Sequence, residues 1–549
     1  MKIPTLRAPV NKLLLFVFLV FATSTVLWSL RDQTPPPWDP SDHLRYAYDY
    51  YRLLAHADFS GFAREFFSAR HYYAPLVHLI TAAVFLIFGA SKLAGIGVNL
   101  LSLAALLLAV ALLSSGYGKE FLESEKQIAP RRLGVMLLSA LPALLSSSYH
   151  FSAWLVHDAF LDFPLIAAVT VSFAFLIRAE DFRDRRYALA FGVSAGLGML
   201  VKQTFAFFFV FPALYVIGRV LWARDRKAVG NLMLAAVVLI LIASIWYAPH
   251  WQDVIAIYRE NQQAAISENE APLFTFDSNF FYIHALLSMQ IQVPFAILFV
   301  FGLLYSLVKF RKESLLFYLW IISGIACFSL VANKDVRYTT PVLPAVALIS
   351  TCWIGSFAAR FRTNRALTRS LKLLLVISIA AWSFVSFFNA QWPRSGFGTA
   401  IDTPRYRWMV FARNYYGFDH RPLDEDWGVP GIVQKLSGEG STPVLGVVVN
   451  LPYLNPSSVA LYSRLLTPQP ARPPMIDVRW VVEPSMINRI DECDYILVRT
   501  GLDKADWVAK VERDVEQIIR DDPGKFTRYA SFAIPLPDAE AVVYRHERR

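Results

Sequence analysis

Residues 13–30, LLLFVFLVFATSTVLWSL, form the first of many long apolar runs in this sequence. The run follows Lys2, Arg7 and Lys12, as in a signal peptide, but no small-x-small cleavage site closes it. A helix of roughly 20 apolar residues crosses about 30 Å of hydrocarbon. We therefore interpret residues 13–30 as an uncleaved first transmembrane helix.

The composition of the whole chain is also that of a membrane protein. Of its 549 residues, 55% are hydrophobic and 17% are charged, and the mean hydropathy is +0.40. Soluble domains average about 45–50% apolar and about 25% charged residues. The formal net charge is +10, but much of the Lys and Arg lies in short loops between apolar runs, where it sets membrane orientation. We therefore expect a lipid bilayer, and not nucleic acid, as a partner.

The three cysteines are far apart in the sequence, at Cys327, Cys352 and Cys493. Two of them fall inside apolar runs, and their spacing fits neither a disulfide framework nor a zinc site. The sequence thus identifies no metal site and no cofactor. Binding of a divalent cation beside the acidic loops described below remains an open alternative.

The remaining apolar runs are separated by two kinds of loop. The runs lie near 76–91, 93–114, 133–147, 160–178, 188–201, 204–222, 229–248, 283–308, 315–332, 339–358 and 371–389. One kind of loop is short and basic: 119–132, 178–186, 223–227, 309–313 and 360–365. The other kind is rich in Trp, Tyr, His and Asp: 31–75, 148–159, 249–282, 333–338 and the chain after 390. The positive-inside rule places the first kind in the cytoplasm and the second kind outside.

This assignment constrains the number of crossings. If 31–75 is outside and 119–132 is inside, residues 76–114 must cross an odd number of times, although they contain two apolar runs. The first run is the shorter, so we predict that 76–91 lies on or dips into the outer leaflet. The chain then crosses about 11 times, within a range of about 11–13 transmembrane helices. The N-terminus lies in the cytoplasm and the C-terminus outside the inner membrane.

The character of the sequence changes after Phe388. Residues 390–549 are mixed and polar, and we predict that they form an extracytoplasmic α/β domain behind a helical membrane domain of residues 1–389. Strand-like runs lie at 443–449, 495–499, 527–534 and 540–545, and helical patterns lie near 456–465 and 504–520. We find neither a G-x-G-x-x-G nor a P-loop pattern there, so nucleotide binding has no support.

Acidic residues are concentrated in the first outer loop. Asp39, Asp42 and Asp49 fall within eleven residues, and from Ser41 the pattern becomes helical. Asp42, Arg45, Tyr46 and Asp49 then share one helix face. The alternative is structural: Ser41 or Asp42 caps an interfacial helix whose aromatic residues lie at headgroup depth. We favour that structural role for Asp39 and Asp49, and a functional role for Asp42.

Three other outer segments carry charges beside apolar spans. Asp158 and Asp162 lie one helical turn apart where the chain re-enters the membrane, and an acid there indicates a functional site by default. The structural alternative is that Asp158 caps the helix and Asp162 points into the bundle toward a lysine. Lys202 lies between two apolar runs, and 333–338 contains further basic residues. Basic groups beside apolar grooves suit a phosphate on a lipid tail, although snorkelling explains any one of them alone.

Five short motifs resemble those of one known family, in order and in approximate spacing. They are SDHLRYA (41–47), APL (74–76), LDFPL (161–165), GLGMLVKQT (196–204) and NKDVRYTTPVLP (333–344). They are similar to the first-loop acidic motif, the K-P-P-L element, the second acidic element, the G-L-a-x-L-T-K-G stretch and the K-x-x-x-Y-x-x-P-x-x-P stretch of GT-C glycosyltransferases. The group concerned contains the protein O-mannosyltransferases and the aminoarabinose transferases. The resemblance covers residues from about 40 to 345 and does not extend into 390–549.

The resemblance implies an inverting glycosyl transfer from a polyprenyl-phosphate sugar to a protein, lipid or glycan acceptor. It makes Asp42 the candidate catalytic base or acceptor-positioning carboxylate, and Asp162 a second acidic partner. Lys202, Lys334 and Arg337 become candidates for binding the donor phosphate.

The chain departs from the family pattern at two positions. His43 stands where an acidic residue often follows the first Asp, and Tyr73 stands in the element in which a Lys precedes P-P-L. Either Arg70 or His71 is a candidate substitute for that Lys. Further candidate substrate-binding residues are Arg45, Tyr46, His71 and Asp158.

Two other classes of protein compete with the enzyme hypothesis. A transporter or lipid flippase also places charges in a helical bundle, but usually at the midplane and with internal repeats. Here the two halves show no obvious repeat, and the charges are concentrated at one face. A non-catalytic scaffold that presents residues 390–549 leaves those charged loops unexplained.

The orientation can be tested with a reporter fused after Arg549. We expect a reporter that is active only outside the cytoplasm to be active there, because the crossing number places the C-terminus outside. A fusion in the basic loop 178–186 is the matched control and should be inactive. Activity in the reverse pattern would overturn the predicted topology and the location of the site.

Overall fold

The computed structural model describes most of the chain. The described residues are 8–68, 73–123, 132–267, 270–309, 312–354, 365–394, 398–411, 420–437, 442–467, 475–501 and 508–547. Everything below concerns these residues.

The chain up to Gln391 folds as a bundle of helices. These are α1 (Ala8–Arg31), α2 (Trp38–Ala55), α3 (Phe59–Ser68), α4 (Leu76–Phe88), α5 (Lys92–Gly95), α6 (Gly97–Glu123), α7 (Arg132–Ser148), α8 (His150–Leu155), α9 (Asp162–Arg178), α10 (Arg185–Val201), α11 (Val210–Ala223), α12 (Arg226–Tyr247), α13 (Trp251–Ser267), α14 (Phe276–His284), α15 (Gln292–Val308), α16 (Lys312–Ser329), α17 (Leu343–Thr351) and α18 (Arg365–Gln391). Two 3₁₀ segments, Gln203–Phe208 and Val336–Val342, and one π segment, Ala285–Gln290, connect some of them.

Several of these helices have the length and composition of membrane spans. Among the described residues, Pro9–Arg31, Lys92–Ser115, Arg226–Tyr247 and Leu373–Gln391 are each long and apolar enough to cross a bilayer. A further pair, Phe276–Gln290 and Gln292–Val308, passes the same test together and is bent by 114°. Shorter apolar helices of 10–17 residues lie between these spans, and length alone does not decide whether they cross the bilayer. The number of about 11 crossings therefore stays a prediction.

Helix α4 corresponds to the first apolar run after the outer loop. It has only 13 residues, and at 1.5 Å per residue it is roughly 20 Å long, which is shorter than the hydrocarbon layer. Gly89 ends it with a positive φ of 80°, a conformation that a residue without Cβ adopts easily. The predicted position of 76–91 on or in the outer leaflet stays a prediction, because α11 in the predicted span 204–222 has only 14 residues.

The bundle buries large aromatic side chains and exposes aliphatic ones. Trp154, Phe163, Phe173 and Trp320 are almost completely buried, and the rings of Phe173 and Trp320 stack at 3.9 Å. In contrast, many Leu, Ile and Phe side chains on the outside of α12 and α15 are exposed. Exposed apolar surface of this extent is typical of helices that contact lipid.

The chain after Thr399 contains all the described strands. These are β1 (Thr399–Asp402), β2 (Arg407–Val410), β3 (Val444–Val447), β4 (Asp477–Trp480), β5 (Tyr495–Thr500), β6 (Phe526–Ala533) and β7 (Glu540–His546), with helices α19 (Val429–Leu436), α20 (Pro456–Leu465) and α21 (Val508–Asp521) and a 3₁₀ segment at Pro484–Glu492. Strands β1 and β2 form an antiparallel pair. The other five form a sheet of order β4-β3-β5-β7-β6, in which β3 is parallel to β4 and β5 and the remaining pairs are antiparallel.

Helices cover both faces of the five-stranded sheet. Leu497 of β5 packs with the apolar faces of α19 and α20, whereas its neighbours Ile496 and Val498 pack with α21 on the other face. A central strand that is buried on both faces is continuously apolar, which explains the sequence YILV at 495–498. The predicted fold class, a helical membrane bundle followed by an α/β unit, is confirmed. The boundary at residue 389 stays a prediction.

Helix α2 joins the two parts of the molecule. Leu44, Ala47 and Tyr48 on this helix pack in one apolar cluster with Phe85 of α4 and Leu461 of α20. The helix begins at Trp38, after Pro37 in extended conformation, so neither Ser41 nor Asp42 is its cap, whereas the structural alternative required one of them to be. Instead, Ser41 lies inside the first turn, where its hydroxyl donates to the carbonyl of Pro36 at 2.6 Å.

Helices α15 and α17 approach each other closely at Gly302. A Cβ at this position would lie 2.2 Å from the carbonyl oxygen of Ile349, so we expect Gly302→Ala to force the helices apart and cost about 1–3 kcal/mol. Gly218 in α11 is the matched control, because a Cβ there meets no atom within 4 Å. Thermal unfolding in detergent should show a lower Tm for Gly302→Ala and an unchanged or higher Tm for Gly218→Ala. Equal Tm changes in the two variants would contradict the close helix approach.

Candidate functional site

Helix α2 presents one polar face to the C-terminal part of the chain. Trp38, Asp42, Arg45 and Asp49 follow the i, i+4, i+7, i+11 spacing of a single helix face. The indole of Trp38 donates to Oδ1 of Asn450 at 2.6 Å. Asp42, Arg45 and Asp49 therefore lie at the junction between the bundle and the sheet-containing part.

Asp42 is held through both of its carboxylate oxygens. Arg45 donates to Oδ1 from Nε at 3.1 Å and from a terminal nitrogen at 2.9 Å. The hydroxyl of Ser457, in the first turn of α20, donates to Oδ2 at 2.9 Å. Burial raises the pKa of Asp42, although the charge of Arg45 and the hydrogen bond from Ser457 act to lower it. A carboxylate with a raised pKa and fixed geometry suits proton removal from an acceptor.

Arg337 links the 333–338 loop to the start of α2. Its guanidinium donates to Oδ2 of Asp335 at 2.8 and 2.5 Å and to Oδ2 of Asp39 at 3.2 Å. Burial acts to lower the pKa of Arg337, but the carboxylates of Asp335, Asp39 and Asp162 raise it well above its ordinary value. The guanidinium therefore stays charged. Of its two acidic partners, Asp39 is the more exposed: 40% of its side-chain surface is accessible, against 21% for Asp335.

Asp162 and Lys202 form a buried ion pair. The ammonium of Lys202, at the C-cap of α10, donates to Oδ1 of Asp162, the first residue of α9, at 2.8 Å. The same ammonium lies 5.4 Å from the ring centre of Tyr338. The structural alternative for Asp162, a carboxylate that points toward a lysine, is thus the observed arrangement. It joins two residues to which the family resemblance assigned separate roles.

Electrostatic coupling shows that these pairs belong to one cluster. Burial lowers the pKa of His43 well below its ordinary value, and the charges of Lys202, Arg337 and Arg45 lower it further. The neutral His43 ring lies 3.2 Å from His78 of α4, measured from Nδ1 to Nε2. The cations of all three groups are therefore near enough to the His43 side chain, one residue after Asp42, to act on its charge.

Lys334 lies apart from this cluster. Its ammonium donates to the carbonyls of Phe328, Ser329 and Val331 at 3.2, 2.9 and 2.7 Å, and the side chain is 4% exposed. All three N–H donors thus contact carbonyls at the C-terminal end of α16, where a cation is favourable. Burial lowers the pKa of Lys334 to about 8. We leave Lys334 out of the site proposed below.

The remaining candidate residues differ in their position relative to Asp42. The guanidinium of Arg45 lies over the ring of Tyr46 at 4.3 Å, so these two remain beside Asp42. His71 and Arg70 lie outside the described residues. Asp158 is buried in the 156–161 loop, and α9 begins at Asp162 with Leu161 as its N-cap, so Asp158 does not cap that helix.

Sequence reasoning missed three members of the cluster. Asp39 was assigned a structural role, but it forms an ion pair with Arg337. Asp335, in the charged 333–338 loop, forms an ion pair with Arg337. The ring of Tyr338 lies beside the Lys202 ammonium. A fourth residue, Ser457, lies in a stretch without any recognisable motif. The available signals were the spacing of Asp39 from Asp42, one helical turn, and the position of Asp335 and Tyr338 inside the 333–344 motif.

The acidic, histidine and cysteine side chains of the described residues are not grouped as metal ligands. Within the described ranges, no group of three or more His, Cys, Asp or Glu side chains is arranged to hold a metal ion. The involvement of a divalent cation stays an untested expectation.

Burial makes Asp158 a pH-dependent contributor to stability. Its pKa is raised to about 7, mainly by burial, whereas an aspartate in an unfolded chain titrates near 3.9. Between these two pKa values the folded protein retains a proton that the unfolded chain releases. The free energy of unfolding therefore decreases as pH rises from about 4 to about 7. We expect Asp158→Asn to raise the Tm relative to wild type, and to raise it more at pH 8 than at pH 5.

The matched control for this measurement is Asp58→Asn. Hydrogen bonds from Gly61 and Ser60 lower the pKa of the exposed Asp58, so its stabilising contribution is complete at both pH values. This variant should change the Tm equally at pH 5 and pH 8. A pH-independent effect of Asp158→Asn would contradict the raised pKa of Asp158.

Comparison with known sequences identifies a distant relative of part of the chain. No protein-family model matches the chain. A protein of Aquifex aeolicus (strain VF5), described only as uncharacterized, is 23% identical over 206 residues, which are 37% of this chain and 40% of that protein. The chain thus matches well under two thirds of this relative.

Solved structures resemble the chain over nearly its whole length. ArnT from Cupriavidus metallidurans bound to undecaprenyl phosphate superposes with a TM-score of 0.56 at 14% identity, and its apo state with 0.52 at 15%; both cover 96% of this chain and 97% of ArnT. The arabinofuranosyltransferase AftD from Mycobacteria gives a TM-score of 0.50 at 13% identity, over 98% of this chain and 40% of AftD. The resemblance inferred from the five motifs is confirmed at the level of the fold: this chain has the GT-C fold of polytopic membrane glycosyltransferases.

Proposed function

We propose that the protein is an integral membrane glycosyltransferase that moves a sugar from a polyprenyl-phosphate donor to a protein, lipid or glycan acceptor. We place the reaction on the outer face of the inner membrane, with the N-terminus in the cytoplasm and the C-terminal domain in the periplasm. The placement follows from the distribution of basic loops.

One observation carries the proposal. Three cations are paired with carboxylates in one region of the bundle: Arg45 with Asp42 and Arg337 with Asp39, both on α2, and Lys202 with Asp162, beside Tyr338 of the 333–344 segment. Cations held beside apolar helices suit a phosphate whose lipid tail remains in the bilayer. ArnT, which has the same fold, was crystallised with undecaprenyl phosphate.

The proposed roles of the basic residues follow from their surroundings. Arg337 is held from one side by Asp335, and its more exposed partner Asp39 is the ligand that a donor phosphate oxygen would replace. Lys202 is oriented by Asp162 at 2.8 Å and would neutralise a second phosphate oxygen. Arg and Lys beside the leaving phosphate stabilise the charge that develops as the glycosidic bond breaks.

Asp42 is the proposed base. It would take the proton from an acceptor hydroxyl or amine while that oxygen or nitrogen bonds to the anomeric carbon of the sugar. The bond between the anomeric carbon and the phosphate oxygen breaks, and the polyprenyl phosphate leaves with the electron pair. Attack opposite the leaving group inverts the anomeric configuration.

The test uses purified protein, labelled polyprenyl-phosphate sugars and candidate acceptors. Asp42→Asn keeps the size of the side chain but removes its charge and cannot accept the proton, so we expect transfer to fall by at least about 100-fold. The matched control is Asp225→Asn at the opposite end of α10 and α12, where Asp225 pairs with Arg183. That variant should transfer label at the wild-type rate.

Three outcomes bear on the proposal. Transfer that depends on Asp42 supports it. Normal transfer by Asp42→Asn removes the proposed base. Movement of the labelled lipid across vesicle membranes, without transfer to any acceptor, would favour the transporter or flippase instead.

A further inference from the structure

We propose that the C-terminal domain completes the active site, and that Ser457 is a positioning residue that fixes the orientation of the Asp42 carboxylate. This inference rests on the proposed function of Asp42 as the base. The C-terminal domain, in which no catalytic motif is recognised, would then contribute to the reaction.

The Ser457 hydroxyl is held in place by the local structure of α20. Asn455 caps this helix in a reciprocal capping box: its side chain accepts from the main-chain nitrogen of Ser458, and the Ser458 hydroxyl lies 3.0 Å from the main-chain nitrogen of Asn455. Pro456 occupies the first turn, where its fixed φ suits a helix start. Asn455, Ser457 and Ser458 are all at least 99% buried. The first turn of α20 is therefore well fixed where it meets Asp42.

The two oxygens of Asp42 have donors from different parts of the chain. Oδ1 accepts only from Arg45 in the contacts described above, and Arg45 lies one turn along the same helix. Oδ2 accepts from Ser457, 415 residues later in the sequence. A carboxylate held at one oxygen can still turn about its side-chain torsions. The second donor restricts that rotation, so the plane of the carboxylate depends on the C-terminal domain.

Further contacts keep α20 in register with α2. Arg464, two turns after Ser457, donates to Oδ1 of Asp49 at 2.7 Å. Leu461, between them, packs against Leu44 in the apolar cluster at the junction. These contacts flank the Asp42–Ser457 hydrogen bond and dock the two helices without touching the Asp42 carboxylate. The structure therefore offers a way to separate docking of the domain from positioning of the base.

The hydrogen bond also has an electrostatic consequence. A hydroxyl that donates to a carboxylate favours the ionised form, and Ser457 acts to lower the pKa of Asp42 against the effect of burial. Without this hydroxyl the pKa of Asp42 should rise. Since the base must be ionised to accept a proton, the ascending limb of the pH–rate profile should then move to higher pH.

The experiment compares Ser457→Ala with Ser457→Thr in the full-length protein. We expect Ser457→Ala to lower kcat by roughly 10- to 100-fold, as for the loss of one hydrogen bond to a charged group. Its ascending pH limb should move up by roughly one pH unit. The KM for the donor should be unchanged, because Ser457 does not contact the basic residues proposed to bind phosphate. Ser457→Thr keeps the hydroxyl and should restore both kcat and the pH profile.

The matched control is Arg464→Gln, which weakens docking on the same helix. It should lower the Tm while leaving the pH limb in place. A Ser457→Ala variant with wild-type kcat and pH limb, or with the same effects as Arg464→Gln, would overturn the inference and leave only a structural role for Ser457.

A second readout does not depend on activity. Infrared spectroscopy can follow the C=O band of the protonated Asp42 carboxyl, identified by its loss in Asp42→Asn. Ser457→Ala should raise the midpoint pH of this band, and an unchanged midpoint contradicts the positioning role. If Asp42→Asn transfers sugar normally while Ser457→Ala still shifts the band, the proposed function fails but the contact to Asp42 stands. If Asp42→Asn is inactive and the band does not shift, only the inference fails.

Discussion

The partly buried guanidinium of Arg337 is the constraint on which the site depends. Removal of such a charge from water is costly unless carboxylates accept its N–H groups. Asp335 in the same loop is one acceptor, and Asp39, 298 residues earlier in the chain, is the other. The hydrogen bonds from the Arg337 guanidinium to these two carboxylates therefore hold the start of α2 against the 333–338 loop. The Asp162–Lys202 pair satisfies its own charges beside it, so the cluster consists of mutually paired groups.

The position of α2 divides the cluster into two sides. Its start meets Arg337 through Asp39, and its polar face meets α20 through Asp42 and Asp49. The basic residues proposed for the donor phosphate are thus on the bundle side, and the proposed base is on the side of the C-terminal domain.

The sequence predicted the fold well because the signals for the fold are local. Long apolar runs predict spans, and the run YILV at 495–498 predicts a buried strand, without knowledge of any partner. The site was less predictable because the direction of a side chain depends on distant residues. Lys334 has the sequence context of a phosphate ligand but contacts the end of α16. Asp39 was indistinguishable from an ordinary acid in the first turn of a helix, and Ser457 belongs to no motif that would connect it with Asp42.

The most direct test of this account is a structure of the protein with bound polyprenyl phosphate. The account predicts phosphate density within hydrogen-bond distance of Arg337 and Lys202, with Asp39 displaced from Arg337 and the lipid tail along the outside of the bundle. Phosphate bound at the opposite end of α10, beside Arg183 and Arg219, would contradict it. The site proposed here would then be a structural network of ion pairs.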